Sequence, residues 1–470
     1  MTFSIAVKNY NSTARTANGM KAETSSGSAI LDLFGKIGSA RGVNLTANLD
    51  AALAENEDLA LRTLLWARDI REGSGERAQF RALLAHLDNK NPALARKLMT
   101  KVPELGRWDD LFAYTDWANR RAAFDMIRAA LNAGNGLAAK WMPRKGNLAV
   151  ELTRFMGLSP KAYRKLIVGL TKVVENQMCA KQWNEINFSH VPSVASARYQ
   201  KAFGRNAPEA YTSYIQELQK PQAERAEGVK INAGAVYPHD VVKSVAKGNV
   251  AVADEQWKAL PNYVGDARIM PMVDVSGSMG HLGYSRPGYV QPIEAAIALG
   301  LYLSDKNTSS FKDLFLTFSA RPEFVQVSGN LSKKIQQMST AAWEMNTNLH
   351  AAFDAILRVA QSGKVKQEDM PQVLLILSDM QFDQCARYDD RAVEMVQRKY
   401  EAAGYSVPKI VFWNLNGSCA GTPVRFDDRG VAHVSGFSPA IMKSVLANDL
   451  EDYTPYNVML KTLMKDRYAV

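Results

Sequence analysis

Hydrophobic positions follow two different patterns along the 470-residue chain. Between about residues 46 and 203, apolar residues recur at steps of three and four, as at Leu61, Leu64 and Leu65. This spacing is typical of amphipathic helices, and the helices come in pairs without exact sequence repeats. Helix pairs of this kind stack into a solenoid, so we expect a mainly α N-terminal half built from HEAT-like helical repeats.

After residue 263 the pattern changes to short apolar runs that alternate with amphipathic stretches. The runs lie at residues 269–273, 315–318, 373–377 and 410–413. Buried parallel strands have this character when helices cover both faces of their sheet. We therefore predict an α/β domain with a Rossmann-like parallel sheet.

Three regions follow from these patterns. Residues 1–45 are rich in small polar residues, show no sustained period and are predicted to form a partly extended N-terminal arm. The helical-repeat domain is expected over residues 46–262 and the α/β domain over residues 263–470.

Composition excludes several classes of protein. The chain is 47% hydrophobic and 22% charged, values that are ordinary for a folded protein. The longest uninterrupted apolar stretch, from Ala295 to Leu303, is too short to span a bilayer, and the N-terminus does not resemble a secretory signal. The three cysteines are widely spaced and contain no CxxC motif, which fits a reducing compartment. We expect a cytoplasmic protein with no membrane partner.

Positive charge is concentrated in one segment. The chain has 57 Lys and Arg against 47 acidic residues, and residues 139–205 alone hold twelve Lys or Arg but only three Glu. A concentrated positive field attracts polyanions, and an aromatic residue among cations can hold a single strand by stacking. The expected partner is RNA, and the candidate RNA-binding residues are Lys140, Trp141, Arg144, Lys145, Lys161, Arg164, Lys165 and Lys172. The alternatives are a solvated basic face without a partner and, for Trp141, a place in the core.

Oxygen-bearing side chains cluster at the predicted ends of two strands. Asp274, Ser276 and Ser278 form a D-x-S-x-S arrangement after the first strand, and Asp379 follows the strand at 373–377. Thr347 stands just before a predicted helix. The carboxyl ends of parallel strands are where ligands bind in open α/β sheets, and hard oxygen ligands suit Mg²⁺ or Mn²⁺.

Taken in order, these five residues resemble the metal-ion-dependent adhesion site of von Willebrand factor type A domains. A site with few carboxylates leaves its cation electron-poor, so the cation can accept a carboxylate or phosphate oxygen from a partner. The alternative is that the five are merely polar loop residues and helix caps. No second carboxylate accompanies Asp274, no GK[ST], HExxH or GxSxG motif is present, and the six His are scattered, so no catalytic residue is assigned and an enzyme is not expected.

Several longer motifs, in order along the chain, resemble those of the Ro ribonucleoprotein (TROVE) family, and more closely those of its poorly characterised relatives in plants, bacteria and phages. The similarity covers most of residues 45–470 but neither the N-terminal arm nor the segment 280–291. The matching motifs are residues 66–77 (WARDIREGSGER), 106–111 (GRWDDL), 141–145 (WMPRK), 191–193 with 201–203, 237–239 and 378–383.

The resemblance implies a ring of helical repeats that a von Willebrand A domain closes, and a basic surface that holds small structured RNAs or single-stranded RNA ends. Within the first motif, Arg68, Asp69, Arg71, Glu76 and Arg77 have two interpretations. They form a buried ion-pair network that fixes the turn between helices, which we favour, or they contact RNA. Gly73 and Gly75 would then supply the left-handed turn.

Three functions remain open from the sequence. The first is an RNA-binding ring protein whose metal site serves a second, acidic or phosphate ligand. The second is a non-enzymatic protein-interaction or structural component that grips an acidic side chain of a protein partner through the metal. The third, a metal-dependent phosphatase or nuclease, is disfavoured by the missing second carboxylate. The sequence does not identify the RNA, the protein partner or the oligomeric state.

Overall fold

The computed structural model describes residues 13–234, 236–280, 290–318, 321–339, 347–384, 390–419, 421–446 and 452–470. The first twelve residues of the predicted arm and most of the segment 280–291 lie outside these ranges. Within them the chain forms a helical part followed by an α/β domain, as the two hydrophobic patterns predict.

The helical part is a succession of short helices, most of which contact their neighbours along the chain. A 3₁₀ helix, Trp108–Ala113, lies between the sixth and seventh of them. The helices are α1 (Ala29–Ile37), α2 (Thr46–Glu55), α3 (Glu57–Arg68), α4 (Ala78–Lys90), α5 (Pro92–Lys97), α6 (Lys101–Leu105), α7 (Trp117–Asn132), α8 (Gly136–Trp141), α9 (Asn147–Phe155), α10 (Pro160–Leu170), α11 (Val174–Cys179), α12 (Ser193–Asn206), α13 (Pro208–Gln219), α14 (Pro238–Ala246) and α15 (Val250–Lys258).

The C-terminal domain is built on a six-stranded sheet in the order β5-β4-β3-β6-β7-β8, in which only β5 is antiparallel to its neighbour. Among the described elements, a separate two-stranded hairpin precedes the helices. The strands are β1 (Thr13–Arg15), β2 (Lys21–Glu23), β3 (Ile269–Asp274), β4 (Leu314–Phe318), β5 (Glu323–Gln326), β6 (Val373–Ser378), β7 (Lys409–Asn414) and β8 (Val431–Ser435). The helices are α16 (Pro292–Lys306), α17 (Leu331–Ser339), α18 (Leu349–Ser362), α19 (Ala392–Ala403), α20 (Met442–Val445) and α21 (Pro455–Leu463).

The four predicted strands are present, and the sheet has two further strands that the apolar pattern does not predict. Every residue of β3 and β6 is buried, which explains why these strands have continuous apolar sequences. The edge strand β5 is mostly exposed and has no apolar run. The other edge strand, β8, is buried but carries the polar residues His433 and Ser435, which interrupt its apolar pattern.

The predicted arm is in part a packed helix. Helix α1 contacts β8, and its residues Ile30, Leu31, Leu33, Phe34 and Ile37 are fully buried. The close approach requires Gly35, because a Cβ there would lie 2.5 Å from His433 Cε1. The extended arm expected over residues 1–45 therefore does not describe this segment, whose order comes from the sheet domain that it covers.

The helical part contacts the α/β domain at both of its ends. At its start, α1 packs on β8 and α3 packs on α21; at its end, α14 contacts α16 and α15 contacts α17. One hydrophobic core runs from the helices into one face of the sheet, and a second covers the opposite face. The first and the last helices of the helical part therefore both contact the same α/β domain. No helix within the described ranges is long and apolar enough to cross a membrane.

Candidate metal centre and candidate RNA interface

Asp274 is the last residue of the central strand β3, and its side chain is completely buried. Its two carboxylate oxygens accept hydrogen bonds from the Ser276 backbone N–H at 2.9 Å and from the Ser378 hydroxyl at 2.5 Å. Burial, and next the nearby Asp379, raise the pKa of Asp274 to about 7. The position is thus one in which a negative charge is costly unless a cation compensates it.

Asp379 follows β6, the strand next to β3, and is also buried. Its Oδ1 accepts a hydrogen bond from the Gln381 backbone N–H at 3.2 Å, whereas its Oδ2 is buried and has no hydrogen-bond partner in the described part of the chain. Burial raises its pKa, and the neighbouring Ser278 hydroxyl opposes this effect. A buried carboxylate oxygen without a partner is the expected state of a ligand that is completed by a cation.

The hydroxyl-bearing candidates lie around these two carboxylates. The side-chain oxygens of Ser276 and Ser278 are 3.1 Å apart, and Ser278 is exposed. Thr347 is fully buried, and its carbonyl accepts a hydrogen bond at 3.0 Å from the backbone N–H of Asp383, in the loop that begins with Asp379. The structure therefore brings all five candidate ligands to one edge of the sheet.

This donor set fits Mg²⁺ or Mn²⁺. It offers two carboxylates and three hydroxyls, all hard oxygen donors, with one exposed residue through which a ligand could approach. Among the described residues no group of three or more His, Cys, Asp or Glu could hold a metal, so a site of the zinc type is not present there. Sequence reasoning missed Ser378, whose position directly before Asp379 is the signal that could have found it.

The candidate RNA-binding residues lie on two helices, α8 and α10, and on the segments that directly follow them. Six of the eight are exposed, and Lys140 and Trp141 are half-buried. Two hydrogen bonds join the segment that follows α8 to α10 and its C-terminal end. Arg144 donates to the Thr171 hydroxyl at 3.4 Å, and the Tyr163 hydroxyl donates to the Pro143 carbonyl at 2.9 Å. Arg144 is thus held beside the end of α10, where Lys172 follows.

The cations of residues 139–205 have no acidic partners among the described residues. Eleven of the twelve are exposed, and none forms an ion pair with any carboxylate that the structure describes. Of the three glutamates in the segment, Glu151 pairs with Arg120, outside it, and Glu175 accepts a hydrogen bond from the Tyr199 hydroxyl. The positive field of this surface is therefore not neutralised within the described chain.

Trp141 is neither a core residue nor a free stacking platform. The Arg107 guanidinium lies 3.3 Å from the centroid of its ring, and the Lys140 amine lies 5.2 Å away. Arg107 is itself held by Asp109 at 2.5 Å. The indole is therefore already stacked by a cation on one side, and a base would reach only its remaining surface.

The first family-like motif forms buried ion pairs, as favoured from the sequence, but with partners that the sequence did not indicate. Arg68 binds Asp110 at 2.6 Å, and Glu76 accepts from Arg41 at 2.8 Å. Asp69 binds Arg467 at 2.5 Å and accepts from the Tyr468 hydroxyl at 3.0 Å, so the motif fastens the C-terminal residues to α3.

Two glycines of this motif serve different needs. Gly75 has a φ of +72°, whereas Gly73 does not have a positive φ and is instead required because a Cβ there would lie 1.9 Å from the Trp66 carbonyl oxygen. Arg71 is exposed and donates to the Glu104 carbonyl, and Arg77 is also exposed. The expected left-handed turn is therefore present at Gly75 only.

Both halves of the chain are similar to families of unknown function. Residues 269–465 match the family described as Domain of unknown function (DUF7788), and residues 16–104 and 158–267 match Domain of unknown function (DUF2828). The chain is 29% identical over 514 residues to uncharacterized protein L728 of Acanthamoeba polyphaga mimivirus, covering 95% of this chain and 86% of that protein.

The chain is also similar to the crystal structure of the Ro (RSR) protein of Deinococcus radiodurans. The TM-score is 0.49 with 15% sequence identity, over 95% of this chain and 100% of that one. The prediction that the relatives of this protein are poorly characterised is confirmed. Its helical part and its α/β domain thus each match a family of unknown function.

Proposed function

We propose that this protein is a non-enzymatic RNA-binding protein, with a divalent-cation site at the carboxyl edge of its sheet for a second ligand. The observation that supports RNA binding best is the set of twelve cations in residues 139–205, none of which has an ion-pair partner among the described residues. An exposed surface of this kind neutralises phosphates and releases their counterions.

The sugar–phosphate backbone is a better ligand for this surface than an acidic protein. The cations extend over four helices, α8, α9, α10 and α12, and the loops between them rather than around one pocket, and Trp141 is already engaged by Arg107. Contacts of this kind track a charged backbone and read little sequence. We therefore propose binding that depends strongly on salt and weakly on base sequence.

At the sheet edge, Asp274, Ser276, Ser278, Thr347 and Asp379 would hold Mg²⁺ or Mn²⁺. The observation that supports this assignment is the buried Oδ2 of Asp379, which has no hydrogen-bond partner among the residues that the structure describes. When bound, the cation would supply an open coordination position for a carboxylate or phosphate oxygen. Ser278 is the exposed residue of the set, so such an oxygen would approach the site from its side.

Charge reversal tests the RNA interface. In a variant with Arg144, Lys145, Arg164 and Lys165 all changed to Glu, affinity for a single-stranded oligouridylate should fall strongly at low salt. The slope of log affinity against log salt should decrease by about 0.7 for each phosphate that the variant no longer neutralises. Fluorescence anisotropy at several KCl concentrations measures both quantities.

A matched control reverses four exposed cations on the α/β domain, Lys333, Lys364, Lys366 and Arg429, and changes the net charge by the same amount. Its salt slope should stay close to that of the wild type. An unchanged slope in the first variant, with its helical content intact, would refute the RNA interface. If the protein then captures a partner protein in a metal-dependent way, and nuclease treatment does not abolish the capture, the protein-interaction alternative is supported.

A further inference from the structure

The N-terminal hairpin lies against the loops that carry two of the candidate metal ligands. Strands β1 and β2 pair with each other through Ala14 and Ala22, and the turn between them consists of residues 16–20. Single β-bridges join Gly19 to Asp383 and Glu23 to Thr422, and Met20 is buried in the core beside the sheet. The turn is therefore a fixed part of the sheet edge.

The turn is bonded to the loop after β6 at several points. The Thr16 hydroxyl donates to the Phe382 carbonyl at 2.6 Å, and the Ala17 backbone N–H donates to the Gln381 side chain at 2.6 Å. The backbone N–H of Gln384 donates to the Asn18 carbonyl at 3.1 Å. These bonds join residues more than 360 positions apart in sequence.

One side chain of the turn also reaches the third loop of the site. The Asn18 amide nitrogen donates to the Gln381 carbonyl at 2.9 Å and to the Thr347 hydroxyl oxygen at 3.3 Å. Because a carbonyl only accepts hydrogen bonds, the contact with Gln381 fixes which end of the amide faces Thr347. Asn18 thus bridges the loop of Thr347 and the loop of Asp379.

We propose that Asn18 is a positioning residue of the metal site, which holds the hydroxyl of Thr347 in the orientation that a cation requires. A threonine hydroxyl has one hydrogen and two lone pairs. The bond from Asn18 occupies one lone pair, which leaves the other for the cation and the hydrogen for a second acceptor. The inference rests on the proposed metal site and adds to it a residue from the opposite end of the chain.

The test compares Mn²⁺ binding by the full-length protein and its Asn18→Ala variant, measured through the electron paramagnetic resonance signal of free Mn²⁺. Loss of a partner behind a metal ligand weakens metal binding by roughly 10- to 100-fold, so we expect the dissociation constant to rise by about tenfold or more. The increase in melting temperature that Mg²⁺ produces should shrink in parallel.

The matched control is Asn135→Ala, which removes the side-chain cap of α8, far from the sheet edge in sequence. It should lower the melting temperature of the metal-free protein and leave the Mn²⁺ dissociation constant unchanged. If Asn18→Ala binds Mn²⁺ within twofold of the wild type, the role of Asn18 is refuted while the metal site stands. If the wild type itself binds no Mn²⁺, the metal site is refuted and the role of Asn18 with it.

Discussion

Replacing Asp110 by Ala should destabilise the helical part more than any exposed ion pair could. Asp110 is completely buried and accepts three hydrogen bonds, from Arg68 Nε and Arg81 Nε at 2.6 Å each and from the Arg107 backbone N–H at 2.9 Å. It therefore joins the segment after α6 to α3 and α4 through charged hydrogen bonds, and the bond from Arg68 is shielded from water.

The size of the effect depends on what happens to each donor. Arg81 is one-third exposed and keeps its ion pair with Asp109 at 2.9 Å, so water and Asp109 can compensate the charge of its guanidinium. Arg68 is 2% exposed, and Asp110 is its one ion-pair partner among the described residues. A buried charge left without its partner costs about 3–5 kcal/mol, and we expect the free energy of unfolding to fall by that amount.

Urea unfolding followed by far-UV circular dichroism measures the change as a shift in midpoint at constant slope. The matched control is Asp58→Ala, which breaks the half-exposed pair with Arg62 and should cost less than about 1 kcal/mol. A double variant, Arg68→Met with Asp110→Leu, should recover most of the loss because it leaves no unpaired charge. A cost below about 1 kcal/mol for Asp110→Ala would refute the reasoning.

Two further predictions concern buried polar groups of the α/β domain. Asp274→Asn should abolish Mg²⁺ binding in isothermal titration while leaving the metal-free protein at least as thermostable, since it removes the repulsion with Asp379; unchanged titration would contradict this. His433 is buried, neither of its ring nitrogens forms a hydrogen bond within the described ranges, and burial lowers its pKa to about 4. As pH falls, the unfolded chain binds a proton at this imidazole before the folded chain does. The free energy of unfolding should therefore decrease by about 3 kcal/mol between about pH 6.5 and pH 4. The His433→Leu variant should lack this loss. If the free energies of unfolding of the wild type and the variant differ by the same amount at pH 7 and at pH 4.5, the prediction is wrong.

The pattern of apolar residues predicts the main elements because burial leaves a local mark on the sequence. Strands β3 and β6 are buried on both faces and have continuous apolar runs, so the pattern predicts their positions to within one residue. The candidate metal residues follow from the same runs, since the carboxyl ends of adjacent parallel strands meet at one edge. Asp274 and Asp379 lie there for that reason.

The sequence by itself determined the two halves of the chain, the charge of the basic segment and the polar residues at the strand ends, all of which are properties of neighbouring residues. Only the tertiary structure decided that α1 belongs to the sheet domain, that Asp69 binds Arg467 and that Asn18 reaches Thr347. Each of these contacts joins residues more than 300 positions apart. Nothing in the local sequence encodes such a pairing, because each partner is simply a polar or apolar residue until the folded chain brings the two together.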